Sequence, residues 1–232
     1  MTVPADASGT AGLFDAAVFG VPGSTAHEEV SGNSAVSVPA SSLAAAYDNV
    51  GITGDSSPGA GNVDGAGYSF SASALAAAGA QPGGTVTAGG LNFTWPSAGA
   101  GQADNVVAGG QAFRMSGSGT QLGFLLSGTY VSSSHGSASG TGEVVYTDGS
   151  TSSFSLNAPD WHGGCSQTGA GVALYAPYRN YSGGKSTLDV CIYEASVPLT
   201  AGKSISYVVL PDVSNGAKSD IPAMHIFAVA VG

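Results

Sequence analysis

Short apolar runs separated by Gly, Pro, Asn and Asp are the feature that most constrains this chain. From about residue 44 onward the runs either alternate apolar and polar side chains or are apolar throughout. Such runs, bounded by turn-forming residues, are typical of β-strands, and many of them in succession indicate a β-sandwich. We therefore predict an all-β fold, an antiparallel, jelly-roll-like β-sandwich with one short helix. The clearest strands are predicted at 84–89, 91–95, 111–115, 122–128, 142–147, 152–157, 171–176, 188–197, 205–211 and 224–231.

Two local features have specific sequence signals. Asp148 and Gly149 lie between two strand-like runs and supply the positive-φ residues of a two-residue hairpin turn. The sequence SASALAAAG predicts a short surface helix, which Ser71 or Ser73 caps at its start and Gly79 ends.

The chain divides into two parts by composition. Residues 1–43 are rich in Gly, Ser and Ala with two apolar bursts, and they predict a strand-forming extension or the remnant of a preceding segment. Residues 44–232 carry the sandwich pattern and are enough to bury a substantial core.

Charge excludes several classes of partner. Only 9% of the residues are charged, and the formal net charge is -10 with five Lys and Arg in total. Nucleic acids and anionic membrane surfaces attract clustered basic side chains, which this sequence lacks. No apolar run approaches the roughly 20 residues that span a bilayer. The composition is typical of a secreted bacterial β-protein, so we expect an extracellular location, with a signal sequence upstream of Met1.

Two cysteines, Cys165 and Cys191, agree with an extracellular setting. An even number of cysteines in such a chain favours one disulfide, and two buried free thiols are the alternative. Neither cysteine has the electropositive sequence surroundings of a catalytic thiol.

The segment 47–70 crowds acidic and amide side chains among glycines without a basic residue. Asp55, Asn62 and Asp64 have the oxygen ligands that calcium prefers, although no glutamate closes the loop as in an EF-hand. The alternative is structural, because Asp and Asn form Asx turns that fold long loops. Direct sugar contact by Asp64 or Tyr68 is a third reading.

A second polar segment, 158–185, combines aromatic rings with planar polar groups, the two kinds of side chain that bind sugars. Two structural readings compete with this one. Trp161 is large enough to belong to the core, and Arg179 is placed to form a clamp with Asp160 or Asp189. The predicted carbohydrate-binding residues are Tyr68, Asp160, Trp161, Tyr178, Arg179 and Asn180.

The remaining aromatic and histidine residues favour structural roles. Alternation places Trp95 on the same strand face as two other apolar residues, so we predict that it is in the core. His225 lies within an apolar strand and is expected to be a structural histidine.

We assign no catalytic residue. The chain has no G-x-S-x-G elbow. A hydrolase with two facing carboxylates remains an alternative. Its candidates are Asp48, Asp55, Asp64, Asp104, Glu143 and Asp160.

Several ordered motifs resemble a known domain. They are YDNVGITGDSSPGAGNVDGAGYSFSASALAAAGAQPGGTV, FTWPSAGAGQADNVVAGGQ, GTGEVVYTDGSTSSFSL, APYRNYSGGK and PAMHIFAVAVG. Together they closely resemble an accessory β-sandwich domain of secreted actinobacterial glycoside hydrolases and related carbohydrate-active enzymes. In that domain a DW pair precedes a PYRN segment, matched here by Asp160 and Trp161 and by 177–180. The insert HGGCSQTGAG, Cys191 and the segment before Ala44 depart from the pattern.

The resemblance implies a non-catalytic extracellular module that binds a polysaccharide or oligosaccharide, or supports a catalytic glycosidase domain. It predicts that replacing Trp161 or Tyr178 with Ala weakens saccharide binding. The alternatives are a free-standing glycan hydrolase with paired carboxylates and a structural or assembly module.

Overall fold

A computed structural model describes residues 38–165 and 171–232. The first 37 residues of the predicted extension, and part of the insert that departs from the accessory-domain pattern, lie outside the described residues. Within the described ranges no helix is long and apolar enough to cross a membrane. The elements are β1 (Ile52–Thr53), β2 (Tyr68–Ser71), α1 (Ala72–Ala77), β3 (Thr85–Ala88), β4 (Leu91–Thr94), β5 (Val106–Val107), β6 (Ala112–Ser118), β7 (Gln121–Thr129), β8 (Ala138–Tyr146), β9 (Thr151–Ala158), β10 (Gly171–Ala176), β11 (Arg179–Tyr181), β12 (Gly184–Ser186), β13 (Val190–Pro198), β14 (Ser204–Val209) and β15 (Ala223–Val231).

Two antiparallel sheets form the sandwich. The central sheet has the order β10-β13-β7-β15-β5, and the outer sheet has the order β6-β14-β8-β9. Phe154 and Val208 of the outer sheet pack with Phe124, Leu126 and Tyr193 of the central sheet in one core. The predicted all-β sandwich is therefore confirmed.

The opposite face of the central sheet is also covered. Leu125, Ile192 and Phe227 point to a second core, which includes Phe70 of β2 and Leu75 of α1. The cover consists of the β3–β4 hairpin, α1 and a small sheet of order β1-β2-β11-β12, in which only β1 and β2 pair in parallel. A strand buried on both faces must be apolar throughout, which explains the almost unbroken apolar runs of β7 and β15.

The sequence predicted the long strands and missed the short ones. All ten predicted strands are present, and Trp95 is buried and stacked on Phe227, as its position on the core-facing side of its strand predicted. The missed strands are β1, β2, β5, β11 and β12, each two to four residues long. Runs of that length are too short to establish a period of two. β12 forms a hairpin with the adjacent β11, and the other four depend on pairing with parts of the chain farther away in sequence.

The predicted hairpin joins β8 and β9, but its turn differs from the prediction. The Tyr146 amide donates to the Ser150 carbonyl, and the Gly149 amide donates to the Tyr146 carbonyl. Three residues therefore form the loop, and Gly149 alone has a positive φ, at 82°. Asp148 keeps a negative φ because its carboxylate accepts from the amide and hydroxyl of Ser150, which favours a type I turn followed by glycine.

The predicted helix is α1. The Ser71 hydroxyl accepts from the Ala74 amide and caps its start. At its end the Gly79 amide donates to the Ala76 carbonyl and the Ala80 amide donates to the Leu75 carbonyl, a Schellman motif with Gly79 at a φ of 101°.

Candidate functional site

An open cleft of about 660 Å³ lies at one end of the sandwich. We call it the main cleft. The loop after β7, the end of β9 and the segment that follows β9 form its walls. Its lining is Tyr130, Val131, Ser132, His135, Asn157, Ala158, Pro159, Asp160, His162, Gly163 and Gly164.

A close backbone contact at Gly128 positions this end of the sandwich. The Gly128 amide donates to the Pro159 carbonyl at 2.7 Å, and the Trp161 amide donates to the Gly128 carbonyl at 2.8 Å. A Cβ at residue 128 would lie 2.6 Å from the Ala158 carbonyl oxygen. Glycine therefore lets the segment after β9 lie against β7, which brings Asp160 into the main cleft.

The Asp160 carboxylate ties the two walls of the main cleft together. Its Oδ2 accepts from the Val131 amide at 2.7 Å, and its Oδ1 accepts from the His162 amide at 3.0 Å. Tyr130 precedes Val131 with a φ of 54°, a left-handed conformation that a bulky residue rarely adopts. Such strain persists only where surrounding contacts enforce it, and it often marks functional sites.

A disulfide holds the wall that contains His162. Cys165 and Cys191 are bonded, with their Cα atoms 5.8 Å apart. The Cys191 amide also donates to the Trp161 carbonyl at 2.7 Å. The predicted disulfide is confirmed, and it fixes the end of the segment that begins at Trp161.

A smaller depression of about 140 Å³ adjoins the main cleft and shares Tyr130 and His162 with it. We call it the Arg179 pocket. It brings together three of the six predicted carbohydrate-binding residues, Tyr68, Trp161 and Arg179. Its lining is Asp64, Ala66, Tyr68, Tyr130, Trp161, His162 and Arg179.

Aromatic rings hold the Arg179 side chain in this pocket. Its guanidinium carbon lies 3.7 Å from the centre of the Tyr68 ring and 5.2 Å from that of Trp161. Trp161 is only 1% exposed, and its ring packs edge-on against Phe70 at 5.0 Å. Trp161 is thus part of the second core and also a wall of the pocket.

The Arg179 guanidinium has no acceptor within residues 38–165 and 171–232. The side chain is 8% exposed, and its buried Nε lacks a hydrogen-bond partner. Burial lowers the pKa of Arg179, and the negative charge of Asp64 opposes this shift more strongly than any other group. The alternative of a clamp with Asp160 or Asp189 is wrong, because neither forms an ion pair with Arg179 in the described part of the chain.

A second polar cluster lies on the other side of β11. The Asp55 carboxylate accepts hydrogen bonds from Ser71, Tyr178 and Asn180 and lies 2.8 Å from the Lys185 ammonium. We call these five residues the Asp55 cluster. Burial opposes ionisation of Asp55, but the four donors, led by Lys185, outweigh it and lower its pKa.

Strand geometry separates the predicted site residues around β11. Successive side chains of a strand point to opposite faces, so Arg179 faces the pocket while Tyr178 and Asn180 face Asp55. Sugar contact by Tyr178 and Asn180 stays a prediction.

A sequence model of one family matches residues 39–231, almost all of the described sandwich. The chain belongs to the AziU2-like β-sandwich domain family. No curated protein matches the chain.

In this AziU2-like domain the loop offered as a calcium site uses its polar oxygens to fold. The Asn62 Oδ1 accepts from the Gly67 amide, and the Asp64 Oδ1 accepts from the Ala66 and Tyr68 amides. These are the Asx-type bonds of the structural reading. No cluster of three or more His, Cys, Asp and Glu able to hold a metal occurs in the described residues. The observed bonds do not fit a calcium ligand set, and calcium stays a prediction.

A buried network anchors the start of the same loop. Asp104 accepts from the Gly51 amide at 3.1 Å, the Ile52 amide at 2.8 Å and the Asn105 side chain at 2.7 Å. Burial outweighs these bonds and raises the pKa of Asp104 to about 7. Asn105 also accepts from His225 at 2.8 Å, and burial lowers the pKa of that histidine to about 3. His225 therefore has a hydrogen-bonded position in the core.

Sequence reasoning found one wall of the site and missed the other. Tyr68, Asp160, Trp161 and Arg179 were predicted and line the two connected depressions. Tyr130, which lines both, was missed. It lies among small polar residues that indicate only a turn, so no sequence signal marked it.

Proposed function

We propose that this AziU2-like domain is a non-catalytic, extracellular carbohydrate-associated module that binds a glycan in the main cleft. The observation that carries the proposal is the lining of that cleft. A partly exposed aromatic ring, Tyr130, stands beside amide, carboxylate and imidazole groups from Asn157, Asp160 and His162. Sugars present C–H faces that pack on aromatic rings and hydroxyl groups that need both donors and acceptors.

The shape and chemistry of the site support binding rather than glycan hydrolysis by Asp160. An open cleft admits an internal segment of a chain as well as its end. The Asp160 carboxylate uses both oxygens to accept backbone amides, which favours a positioning role. The buried disulfide is compatible with an extracellular location. The resemblance to accessory domains of glycoside hydrolases supports a catalytic glycosidase domain as a partner.

The test is retention of the purified chain by plant, fungal and bacterial polysaccharides in affinity electrophoresis, with released reducing sugar measured in the same mixtures. We expect retention without release. Release that disappears in an Asp160→Asn or Asp64→Asn variant would replace the proposal with the paired-carboxylate hydrolase. Absence of both retention and release would favour the structural or assembly role.

Two matched variants locate the binding surface. Tyr130→Ala removes the ring shared by the two depressions, and Tyr175→Ala removes a ring that is 50% exposed on β10 and lines neither. We expect Tyr130→Ala to weaken retention by about tenfold, since an aromatic stacking contact contributes roughly 1–2 kcal/mol. Tyr175→Ala should leave retention unchanged. The reverse result would move the site to β10.

A further inference from the structure

Arg179 is a buried cation with unused donors. Its Nε is buried without a hydrogen-bond partner, and no hydrogen bond from the two terminal nitrogens of the guanidinium is found within residues 38–165 and 171–232. The rings of Tyr68 and Trp161 attract its charge but do not replace hydrogen-bond acceptors. An ionised donor left buried without an acceptor destabilises a folded protein, so an acceptor from outside the chain is the natural complement.

Asp64 supplies a hydrogen-bond acceptor in the same pocket. Its Oδ1 accepts the two amide bonds that fold the loop, whereas its Oδ2 accepts none from the described residues. Asp64 is itself 5% exposed and lines the pocket together with Arg179. A ligand in this pocket therefore meets a fixed donor and a fixed acceptor.

The surrounding charge argues against an anionic ligand. Asp64 and Asp160 both act on the single cation, Arg179, and the whole chain carries a net charge of -10. An added anion would face two carboxylates, whereas an added cation would face the guanidinium. A neutral group that both accepts and donates avoids both penalties. Neighbouring hydroxyl groups of a sugar have this property.

We infer that the Arg179 pocket is a subsite for one uncharged sugar residue. Arg179 donates to one or two hydroxyl oxygens, and Asp64 Oδ2 accepts a hydroxyl hydrogen from the same ring. The sugar lies against Tyr68 and Tyr130, and the rest of the glycan continues into the main cleft through the shared residues Tyr130 and His162. This inference rests on the proposed glycan-binding function and names the residues that select the sugar.

The test measures binding of tetrasaccharides by calorimetry and by intrinsic tryptophan fluorescence. The neutral probes are cellotetraose, xylotetraose and mannotetraose, with tetragalacturonate as the acidic probe and a chitosan tetramer as the basic probe. Arg179→Met keeps an apolar stem, and Arg179→Lys keeps the charge but loses the planar set of donors. Asp64→Asn keeps an Oδ1 for the loop amides while replacing Oδ2 with a donor. Arg114→Met is the matched control, because Arg114 is exposed on β6 away from the pocket.

We expect a neutral probe to bind and both charged probes to bind more weakly. Arg179→Met and Asp64→Asn should each lower the affinity for the neutral probe by about 10-fold to 100-fold, as expected for loss of a charge-assisted hydrogen bond. Arg179→Lys should weaken it less, and Arg114→Met should leave it unchanged. Near-wild-type melting temperatures would show that the variants are folded.

Three results would overturn the inference in different ways. Neutral binding that is unchanged in both Arg179→Met and Asp64→Asn would remove the subsite and leave the proposed function intact. Tighter, Arg179-dependent binding of tetragalacturonate would make the pocket a carboxylate site. Failure of every tetrasaccharide and every polysaccharide would remove the proposed function and the inference together.

Discussion

The Asp55 cluster and the Arg179 pocket contain consecutive side chains of one strand, β11, but their ionised groups differ in how many hydrogen-bond partners they have. Asp55 has three hydrogen-bond donors and a lysine ammonium around its carboxylate. Arg179 is more deeply buried and has no acceptor in the described ranges. A side chain whose bonds are complete stabilises the fold, whereas one that is held in place with unused donors is available to a ligand. This difference distinguishes a structural cluster from the proposed binding site.

The largest effect is expected from loss of the disulfide, which holds the wall with His162 next to the Arg179 pocket. Replacing both Cys165 and Cys191 with Ala should destabilise the fold by about 3–4 kcal/mol in the chain-entropy model, because the bond closes a separation of 26 residues. The melting temperature should fall by roughly 6–16 °C. Glycan binding should weaken as well, because the wall with His162 loses its attachment. Calorimetry with and without reductant measures the first effect, and an unchanged melting temperature would contradict it.

The next largest effect is a difference in the free energy of unfolding between variants of the Asp55 cluster and of the Arg179 pocket. Asp55→Ala leaves four donors without their acceptor, and we expect a loss of about 3 kcal/mol with glycan binding retained. Arg179→Met removes no hydrogen bond within the described chain and should change stability by about 1 kcal/mol or less while weakening binding. Urea unfolding curves of the two variants provide the measurement. Equal destabilisation by both would erase the distinction between cluster and pocket.

A smaller effect concerns Asp104, a buried aspartate that has hydrogen-bond donors but no neighbouring lysine. Because its folded-state pKa is raised to about 7, its contribution to stability is complete below about pH 4 and is lost as the pH rises through 7. Relative to Asp104→Asn, the wild type should lose about 1–3 kcal/mol between pH 4 and 7. Burial lowers the pKa of His225 to about 3, so its contribution to stability rises with pH. This contribution is present in both proteins and cancels in the difference between them. A pH-independent difference would contradict the raised pKa.

The smallest effect is expected from calcium. Asp55 already faces Lys185, and the Oδ1 atoms of Asn62 and Asp64 accept loop amides. We expect millimolar calcium or a chelator to shift the melting temperature by less than about 1 °C, because only a bound ligand stabilises by mass action. A calcium-dependent rise that is lost in Asp64→Asn would establish the metal site and overturn the structural reading of the loop.

The fold was predictable where a strand is long enough for its pattern of apolar and polar residues to indicate which of its faces are buried. The continuous apolar run of β7 indicates burial on both faces, and the alternation of β9 indicates one solvent face. The short strands were not predictable, because β11 depends on pairing with β2, more than 100 residues earlier in the chain. Apart from the two valines of β5, their sequences contain polar residues that indicate loops equally well.

The candidate site was half predictable for a related reason. Residue type singled out Tyr68, Asp160, Trp161 and Arg179, but only the register of β11 decides which of its side chains share a pocket. A one-residue change of register would exchange Arg179 with its neighbours. The role of Tyr130 depends on a backbone conformation that no local pattern indicates.

The central sheet, which is covered on both faces, also determines which parts of this protein should unfold locally and which only when the whole molecule unfolds. The amides of β7 and β15 lie between two cores and should exchange with deuterium only when the whole molecule unfolds. The small sheet that carries β11 has strands of only two to four residues, so its amides should exchange through local openings of lower free energy. The Arg179 pocket would then change shape on the timescale of such openings, while the sandwich beneath it keeps its shape.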